Sequence, residues 1–178
     1  PVVMATSGAN LGGDYTAKAM ITELFPLATI ITPNLHEASI LLGRPIHETV
    51  QFEEAAHELL AMGPKAVLIK GGHLAGEPKE LMDYLLWHDM KDGEPVILQQ
   101  AFLHPRIPSS NTHGTGCSLS SAIATYLADQ HDLKHSVAKA ISFVTAAIEA
   151  GQRLDIGKGP GPLWHMHDFY PTKLPEPD

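Results

Sequence analysis

The chain has 178 residues, of which 44% are hydrophobic and 18% are charged, the balance of an ordinary globular domain with a sizeable core. Its formal net charge of −8 argues against non-specific binding to nucleic acid or to anionic membranes, since such binding needs a basic face. No stretch approaches the roughly 18 apolar residues of a membrane span, and a single cysteine cannot form an internal disulfide, which favours a cytoplasmic protein.

The first part of the chain alternates helical and strand patterns. Residues 13–25 carry an apolar stripe at helical spacing, formed by Ala17, Met20, Ile21 and Leu24. The β-branched run at 28–32 predicts a buried strand. Thr32-Pro33 then predicts an N-cap followed by proline at the first position of a helix over about 33–42.

The central part predicts one more helix and three strands. The helix covers about 51–62, since Phe52, Ala55, Ala56, Leu59 and Leu60 recur at helical spacing. A buried strand follows at 66–70 and runs into Gly71-Gly72. Residues 81–87 and 96–103 predict two further strands around the turn at 91–94.

The last part predicts a glycine turn followed by two helices, over about 116–128 and 134–150. Strand–helix alternation with continuous apolar strands predicts an α/β domain with a parallel or mixed sheet. We expect one domain over 1–170 and a proline-rich tail at 171–178. In such sheets ligands bind beyond the carboxyl ends of the strands, where Lys70 and the glycines after it are placed.

The glycine turn predicts an anion site. Gly114 and Gly116 permit backbone conformations closed to other residues and allow a ligand to approach closely. The amides of Gly114, Thr115 and Gly116, together with the positive end of the following helix, point at one spot. Such an arrangement holds phosphate or stabilises the charge of a transition state.

Cys117 is expected in the first turn of that helix, where the helix terminus favours the thiolate. A thiolate beside an anion hole suits a base that takes a proton from a hydroxyl while phosphate arrives. It would also suit a nucleophile. The ordinary alternative is a small buried apolar side chain.

Three polar residues elsewhere could serve a nucleotide. Lys70 ends an apolar strand and can reach a phosphate as a point charge, although a solvated lysine is common there. Asn34 and Glu37 lie three residues apart at the start of a helix, so they share a face. They could hold a Mg²⁺ shell or order its waters. The alternative is a helix-start glutamate that favours the dipole.

Four motifs, in order along the chain, resemble the hydroxymethylpyrimidine/phosphomethylpyrimidine kinases of thiamine biosynthesis, in the ribokinase-like superfamily. They are 32-TPNLHEASILLG-43, 67-VLIKGGHL-74, 111-NTHGTGCSLSSAIA-124 and 157-GKGPGPLWHMHDF-169. The resemblance implies a three-layer α/β/α fold with a mostly parallel sheet. It also implies ATP- and Mg²⁺-dependent phosphorylation of 4-amino-5-hydroxymethyl-2-methylpyrimidine and then of its monophosphate, by a homo-oligomer.

The resemblance also implies roles for the residues named above. Cys117 stands where most of the superfamily has aspartate as the catalytic base, over an anion hole at 114–116. His113 matches a position near the substrate. Lys70 and Gly72 match residues at the ATP phosphates, and the family's Asn-x-x-Glu pair, associated with Mg·ATP, corresponds to Asn34 and Glu37, with Glu37 near the metal.

The start of the chain departs from the family pattern. The family reads Asp-Pro-Val-Met-Val where this chain reads 1-PVVMATSG-8, so valine and methionine are exchanged and the aspartate is absent. Val3 and Met4 are the substrate-binding residues expected there. The sequence therefore predicts a fragment that lacks the N-terminal part of the family's domain and much of the pyrimidine pocket.

Two other functions stay open on the sequence alone. A pyridoxine or pyridoxal kinase of the same superfamily has the same cysteine turn, and a truncated kinase-like domain could be a non-catalytic module. Asp83 and Asp89 are predicted to be surface charges. His113, His165 and His167 could suggest a metal site, but they lack a recognised ligand spacing and are predicted to be structural or solvent-facing.

Overall fold

The computed structural model describes residues 13–72 and 79–169. Its contacts divide the chain into two compact units, with the boundary between Leu103 and His104. The α-helices are α1 (Gly13–Ala19), α2 (Leu35–Leu42), α3 (Phe52–Leu60), α4 (Thr115–Ala128) and α5 (Leu133–Gly151). The strands are β1 (Ala66–Ile69), β2 (Glu80–Lys91) and β3 (Glu94–Pro105). A single domain over 1–170 stays a prediction.

The first predicted helix is present, but its register changes at a wide turn. Helix α1 continues as a π-helix over Met20–Leu24 and a 3₁₀ turn over Phe25–Leu27. A π-turn contains more residues than an α-turn, so it rotates the following side chains around the axis. As a result, Phe25 is buried, whereas Leu24, predicted on the apolar stripe, is 58% exposed.

The predicted strand at 28–32 is an extended segment held by isolated bridges. It runs parallel to β1 through the bridges Ile31↔Val67 and Asn34↔Lys70. The Ile31 N–H donates to the carbonyl of Ala66, and the Leu68 N–H donates to the carbonyl of Ile31. Pro33 has no N–H to donate to a ladder, but its carbonyl accepts from the Lys70 N–H, and the pairing ends at Asn34, where α2 begins.

Helix α2 starts two residues later than the Thr32-Pro33 pattern predicts. Its N-cap is Asn34, whose side chain accepts from the Glu37 N–H while the Glu37 carboxylate accepts from the Asn34 N–H. This reciprocal capping box satisfies two backbone donors, which a Thr32 cap would leave to other partners. The assignment of Thr32 as N-cap was therefore wrong.

The core of the first unit lies between its helices and the sheet. Helix α3 packs against β1 and β2. The face predicted for it is buried throughout, by Phe52, Ala55, Ala56, Leu59 and Leu60. All four residues of β1 are buried as well. Both predictions are confirmed.

The described sheet has three strands in the order β1-β2-β3. Strands β1 and β2 pair antiparallel, from Ala66↔Trp87 to Ile69↔Tyr84. Strands β2 and β3 are joined by Asp92-Gly93, whose φ values of 55° and 85° are those of a tight hairpin turn. Such a turn allows only antiparallel neighbours, so these residues contain less parallel pairing than the predicted sheet.

The second unit contains the two predicted C-terminal helices, each within one residue of the expected start. Helices α4 and α5 are joined by a short loop and pack against each other. Their buried residues include Leu119 and Ile123 of α4 and Val137, Ala140 and Val144 of α5. Over residues 13–72 and 79–169, no helix combines the length and apolarity needed to cross a membrane.

Asp132 caps α5 and makes its stability depend on pH. Its Oδ1 accepts from the His135 N–H at 2.8 Å, and its Oδ2 lies 2.7 Å from His135 Nδ1. The backbone hydrogen bond first, and then the one from the ring, lower the pKa of Asp132 below its ordinary value of 3.8. A lowered folded-state pKa stabilises the fold above pH 3.8, and this contribution is lost as the pH falls through the folded-state value.

We expect Asp132→Ala to lower the urea midpoint at pH 7, and the difference from the unsubstituted chain to shrink below about pH 4 as the carboxylate protonates. Asp132→Asn is the control, because it keeps an accepting oxygen that does not titrate. Urea unfolding from pH 7 to pH 3 measures both. A difference between Asp132→Ala and the parent that is constant with pH would contradict this account.

Candidate functional site

The glycine turn begins α4 without a capping side chain. Gly114 is the N-cap and has φ 89° and ψ 1°, in the left-handed region that glycine adopts without strain. A Cβ added there would meet nothing within 4 Å, so the requirement for glycine is conformational rather than steric. The first helical hydrogen bond runs from the Ser118 N–H to the carbonyl of Gly114, at 2.8 Å.

The amides at this helix start differ in their partners. The Thr115 N–H and hydroxyl both donate to the carbonyl of Thr112, at 3.3 and 2.7 Å. Gly116 and Cys117 follow in the first turn, where amides have no intrahelical acceptor. Because Gly114 has no side chain to cap them, these two amides and the helix dipole present positive charge at one place. This geometry can hold an anion.

Cys117 is the third residue of α4 and its side chain is exposed. The thiol lines a cavity of about 420 Å³ within the second unit. The other lining residues are hydroxyl-bearing, apolar or aromatic: Ser118, Ser121, Ala122, Thr125, Tyr126, Phe143 and His165. A thiol that is open to a cavity can exchange a proton with a bound hydroxyl group.

Histidines of the second unit lie close to this turn. His113 is joined to Pro162 by a parallel bridge, and the residue is exposed. His165 Nε2 lies 2.6 Å from Ser118 Oγ, next to Cys117 in the chain. His167 Nδ1 lies 3.0 Å from the carboxylate of Asp168. In the ranges that the structure describes, no three histidine, cysteine or acidic side chains form a group that could hold a metal.

In the first unit, the structure brings Asn34, Glu37 and Lys70 to the same end of β1. Asn34 and Lys70 are bridge partners, and the Lys70 N–H donates to the carbonyl of Pro33 at 3.0 Å. Glu37 is 6% exposed and exchanges two hydrogen bonds of 2.8 Å with Asn34. The Asn34 side-chain oxygen and one carboxylate oxygen are thus engaged with backbone amides.

Asp83 fixes the turn after Lys70 through a hydrogen bond. The sequence alone did not predict this role for Asp83. Asp83 is 5% exposed and its Oδ1 accepts from the Gly71 N–H at 2.9 Å. The prediction of a surface charge at Asp83 was wrong, whereas Asp89 is exposed as predicted. An aspartate inside the apolar run 81-LMDYLLW-87 needs a buried donor, which is the signal that could have identified it.

The predicted site residues fall in both units. Asn34, Glu37, Lys70 and Gly72 belong to the first unit, and residues 113–117 belong to the second. Val3 and Met4, predicted to bind substrate, lie outside the described residues, as does the tail at 171–178.

The sequence matches the phosphomethylpyrimidine kinase family over residues 1–164. A hydroxymethylpyrimidine/phosphomethylpyrimidine kinase of Rhizobium meliloti is 41% identical over 171 residues, which are 96% of this chain and 60% of that protein. A thiamine biosynthesis bifunctional protein of Geobacter sulfurreducens is 42% identical over 168 residues, 93% of this chain and 31% of that protein. The chain therefore spans less than two thirds of the length of each of these relatives.

The fold is similar to that of a solved kinase. The pyridoxal kinase of Staphylococcus aureus in complex with AMP-PCP superposes with a TM-score of 0.76 at 30% identity, covering 92% of this chain and 55% of that one. The protein therefore has the ribokinase-like α/β fold of small-molecule kinases. Within that class, it belongs to the phosphomethylpyrimidine kinase family.

The turn after Lys70 gives a test of its backbone geometry. A Cβ added at Gly71 would lie 2.1 Å from the carbonyl oxygen of Met82, whereas one at Gly72 would meet nothing within 4 Å. We expect Gly71→Ala to lower the free energy of unfolding by roughly 3 kcal/mol, the upper end of the usual cost of overpacking.

The matched control, Gly72→Ala, should change the unfolding free energy by less than about 0.5 kcal/mol, as is usual for a substitution without contacts. Urea unfolding of both variants measures the difference. Equal effects of the two substitutions would contradict the close approach of Gly71 to β2.

Proposed function

We propose that the complete protein is a kinase that transfers the γ-phosphate of ATP to hydroxymethylpyrimidine and then to its monophosphate, in thiamine diphosphate biosynthesis. The observation that carries this proposal is the uncapped start of α4 with an exposed cysteine in its first turn, in a chain of the phosphomethylpyrimidine kinase family. Phosphoryl transfer needs mainly positioning and charge stabilisation, and such a helix start supplies both.

In this proposal, Cys117 is the catalytic base. Its thiolate accepts the proton of the substrate hydroxymethyl group as the oxygen attacks phosphorus. The exposed thiol and the adjoining cavity of about 420 Å³ support the role, since a base must be within hydrogen-bonding reach of the substrate. Within the anion hole predicted at 114–116, the Thr115 N–H donates to the carbonyl of Thr112, so the amides of Gly114, Gly116 and Cys117 are proposed to stabilise the negative charge of the transferring phosphoryl group.

Lys70 and Gly72 are proposed to bind the ATP phosphates. Lys70 follows the carboxyl end of a buried strand, the place where ligands bind in sheets of this kind. Its ammonium group would contribute a point charge to the phosphates. A Cβ added at Gly72 would meet no protein atom within 4 Å, so there is open space beside this backbone.

Mg²⁺ is proposed to accompany ATP, and the donor set of the first unit fits a water-mediated contact. The Asn34 side-chain oxygen and Glu37 Oε2 accept backbone hydrogen bonds, so direct ligation through both would open the capping box. The second carboxylate oxygen of Glu37 can accept from a metal-bound water. Mg²⁺ retains several waters in most protein sites, so a contact with Glu37 through a metal-bound water is consistent with its usual coordination. Bound Mg²⁺ would neutralise the charge of the phosphates.

The second candidate is pyridoxal phosphorylation. The TM-score of 0.76 with the Staphylococcus aureus pyridoxal kinase favours it, because the two reactions use the same fold. The higher identity to pyrimidine kinases, 41% against 30%, supports the pyrimidine instead. His113 is proposed to contact the substrate in either case, as are Val3 and Met4.

A substrate panel tests the choice. ATP consumption is measured with hydroxymethylpyrimidine, its monophosphate and pyridoxal, both on this chain and on the longest open reading frame that contains it. We expect turnover selective for the two pyrimidines in the longer protein. Selectivity for pyridoxal would support the second candidate, and absence of turnover with all three would support a non-catalytic module.

The role of Cys117 has its own test in the longer protein. Cys117→Ala should lower kcat by about 10²- to 10⁴-fold, the usual contribution of a general base, while ATP affinity measured by calorimetry changes little. The control is Ser142→Ala, which removes one heavy atom from an exposed position of α5. Retained turnover in Cys117→Ala would overturn the assignment of the base.

A homo-oligomer in the cytoplasm is proposed for the complete kinase. Sedimentation velocity on the longer protein, with and without ATP, would test the oligomeric part of this proposal. A monomer under both conditions would contradict it.

A further inference from the structure

Asn111 is a buried polar residue at the entrance to the glycine turn. It is 5% exposed, and its backbone N–H donates to Ser109 Oγ at 3.0 Å. Its side-chain amide donates to two carbonyls, those of Gly151 and Leu154, both at 2.7 Å. One amide group therefore connects the start of the glycine turn to the end of α5 and to the loop that follows α5.

The two carbonyls differ in their other partners, since the Gly151 carbonyl also accepts from the Leu154 N–H at 3.0 Å. Gly151 is the last residue of α5, and the final carbonyls of a helix have no intrahelical N–H partner. Both hydrogens of the Asn111 amide are used, so this donor group is fully satisfied. Removing the amide would take one hydrogen bond from each carbonyl at a buried or partly buried place, which costs more than losing a surface hydrogen bond.

Gly161 closes the other side of Asn111. A Cβ added at Gly161 would lie 1.9 Å from Asn111 Oδ1 and 2.6 Å from Cγ, so only glycine fits against this side chain. The His113 N–H donates to the carbonyl of Gly161 at 3.1 Å, and His113 pairs with Pro162. The backbone at 161–162 is thus packed along the backbone that leads into the turn.

The position of Asn111 is transmitted to the helix start through its neighbour. The carbonyl of Thr112 accepts both the N–H and the hydroxyl of Thr115, the first residue of α4. A shift of the backbone at Asn111 therefore moves the acceptor that holds the first residue of α4. Gly114 has no side chain that could compensate, since it makes no cap of its own.

We propose that Asn111 is a positioning residue, which aims the amides of the glycine turn and Cys117 by fixing the path of the chain into α4. Its effect on phosphoryl transfer rests on the kinase function proposed above. Its effect on the cysteine does not, because the chemistry of the thiol can be measured without ATP or substrate. Cys117 is the single cysteine of the chain, so a thiol reagent reports on this position alone.

The experiment measures the rate of Cys117 alkylation by iodoacetamide near pH 7 in the folded chain. The variant is Asn111→Asp. It keeps the shape of the side chain but replaces the donating NH₂ group with a carboxylate oxygen, which faces the carbonyl oxygens of Gly151 and Leu154. We expect alkylation to slow by about two- to fivefold, the size of a helix-terminus effect on a charged group. A residue that only stabilises the fold would leave the alkylation rate of the folded chain unchanged, because the thiol is already exposed, and its loss would appear only in the urea midpoint.

The matched control is Gln130→Glu, which makes the same change of charge at an exposed amide of the loop between α4 and α5. It should leave the alkylation rate within the error of the parent. An unchanged or faster rate in Asn111→Asp, or an equal slowing in the control, would overturn the proposal.

A double-substitution cycle tests the contact with Gly161. Gly161→Ala alone should lower the urea midpoint strongly, because its Cβ would overlap the Asn111 amide. In Asn111→Ala the same substitution should have a much smaller effect, since the remaining Asn111 Cβ lies at 3.4 Å, an ordinary contact distance. Additive effects would contradict the contact and overturn this part of the proposal.

The consequence for catalysis is measured in the longest open reading frame. Asn111→Asp should lower kcat more than it raises the KM for ATP, because the substitution changes the orientation of Cys117 and does not alter Lys70. A rise in KM alone would contradict the positioning role. If the parent enzyme has no turnover, the proposed function fails, and the alkylation and unfolding measurements still decide the role of Asn111.

Discussion

The start of α4 at a residue without a side chain is the constraint on which the candidate site depends. Two other helix starts are closed by side chains, since Asn34 and Glu37 cap α2 and Asp132 caps α5, whereas α3 continues directly from a 3₁₀ turn over Thr49–Gln51. A capped amide has its acceptor and is not available to a ligand. At Gly114 the left-handed backbone turns the chain into the helix and leaves the Gly116 and Cys117 amides without an intrahelical acceptor, which is the basis of the proposed anion site. The absence of a capping side chain is therefore what allows this turn to offer its amides to a ligand.

That feature has a structural cost, which the surrounding residues offset. A helix start without a cap lacks the hydrogen bonds that usually fix the entering chain. In the second unit the same role is taken by backbone and amide contacts further back, at Thr112 and Asn111. In the first unit, too, a buried polar side chain fixes a glycine turn. There Asp83 accepts from the Gly71 N–H and so fixes the turn after Lys70.

The sequence predicted most of the elements but not the hydrogen bonds at their ends. The faces of α3, the hairpin around Asp92 and the helix after Gly114 follow from local periodicity and turn chemistry, which the structure confirms. Thr32 and Asn34 are both acceptable caps, and the choice depended on Glu37, which lies at the third helical position only if Asn34 is the cap. Proline at the first helical position favours Thr32 as the cap, but the pairing of Asn34 with Glu37 is the stronger signal.

Burial of single polar residues was predictable only in part, because it depends on contacts distant in the sequence. Asp83 and Asn111 find their partners 12 and 40 residues away, respectively, and no local pattern indicates those pairs. The register shift at Met20–Leu24 has a similar cause, since Phe25 is the side chain that the core of the first unit accepts. Local sequence gives the periodicity of an element, and tertiary packing decides which of its residues faces inward.

The cysteine at position 117 also determines which group accepts the proton and which groups bind the metal in the proposed reaction. An aspartate in the first turn of α4 would be a hard oxygen ligand, able to bind Mg²⁺ as well as a proton. A thiolate is soft and a poor ligand for Mg²⁺, so Cys117 stays available to the substrate proton. The metal must then rely on phosphate oxygens, water and carboxylates such as Glu37. A cysteine base thus separates proton transfer from metal binding, and its reactivity depends on the helix terminus and on the residues that fix the path of the chain into it.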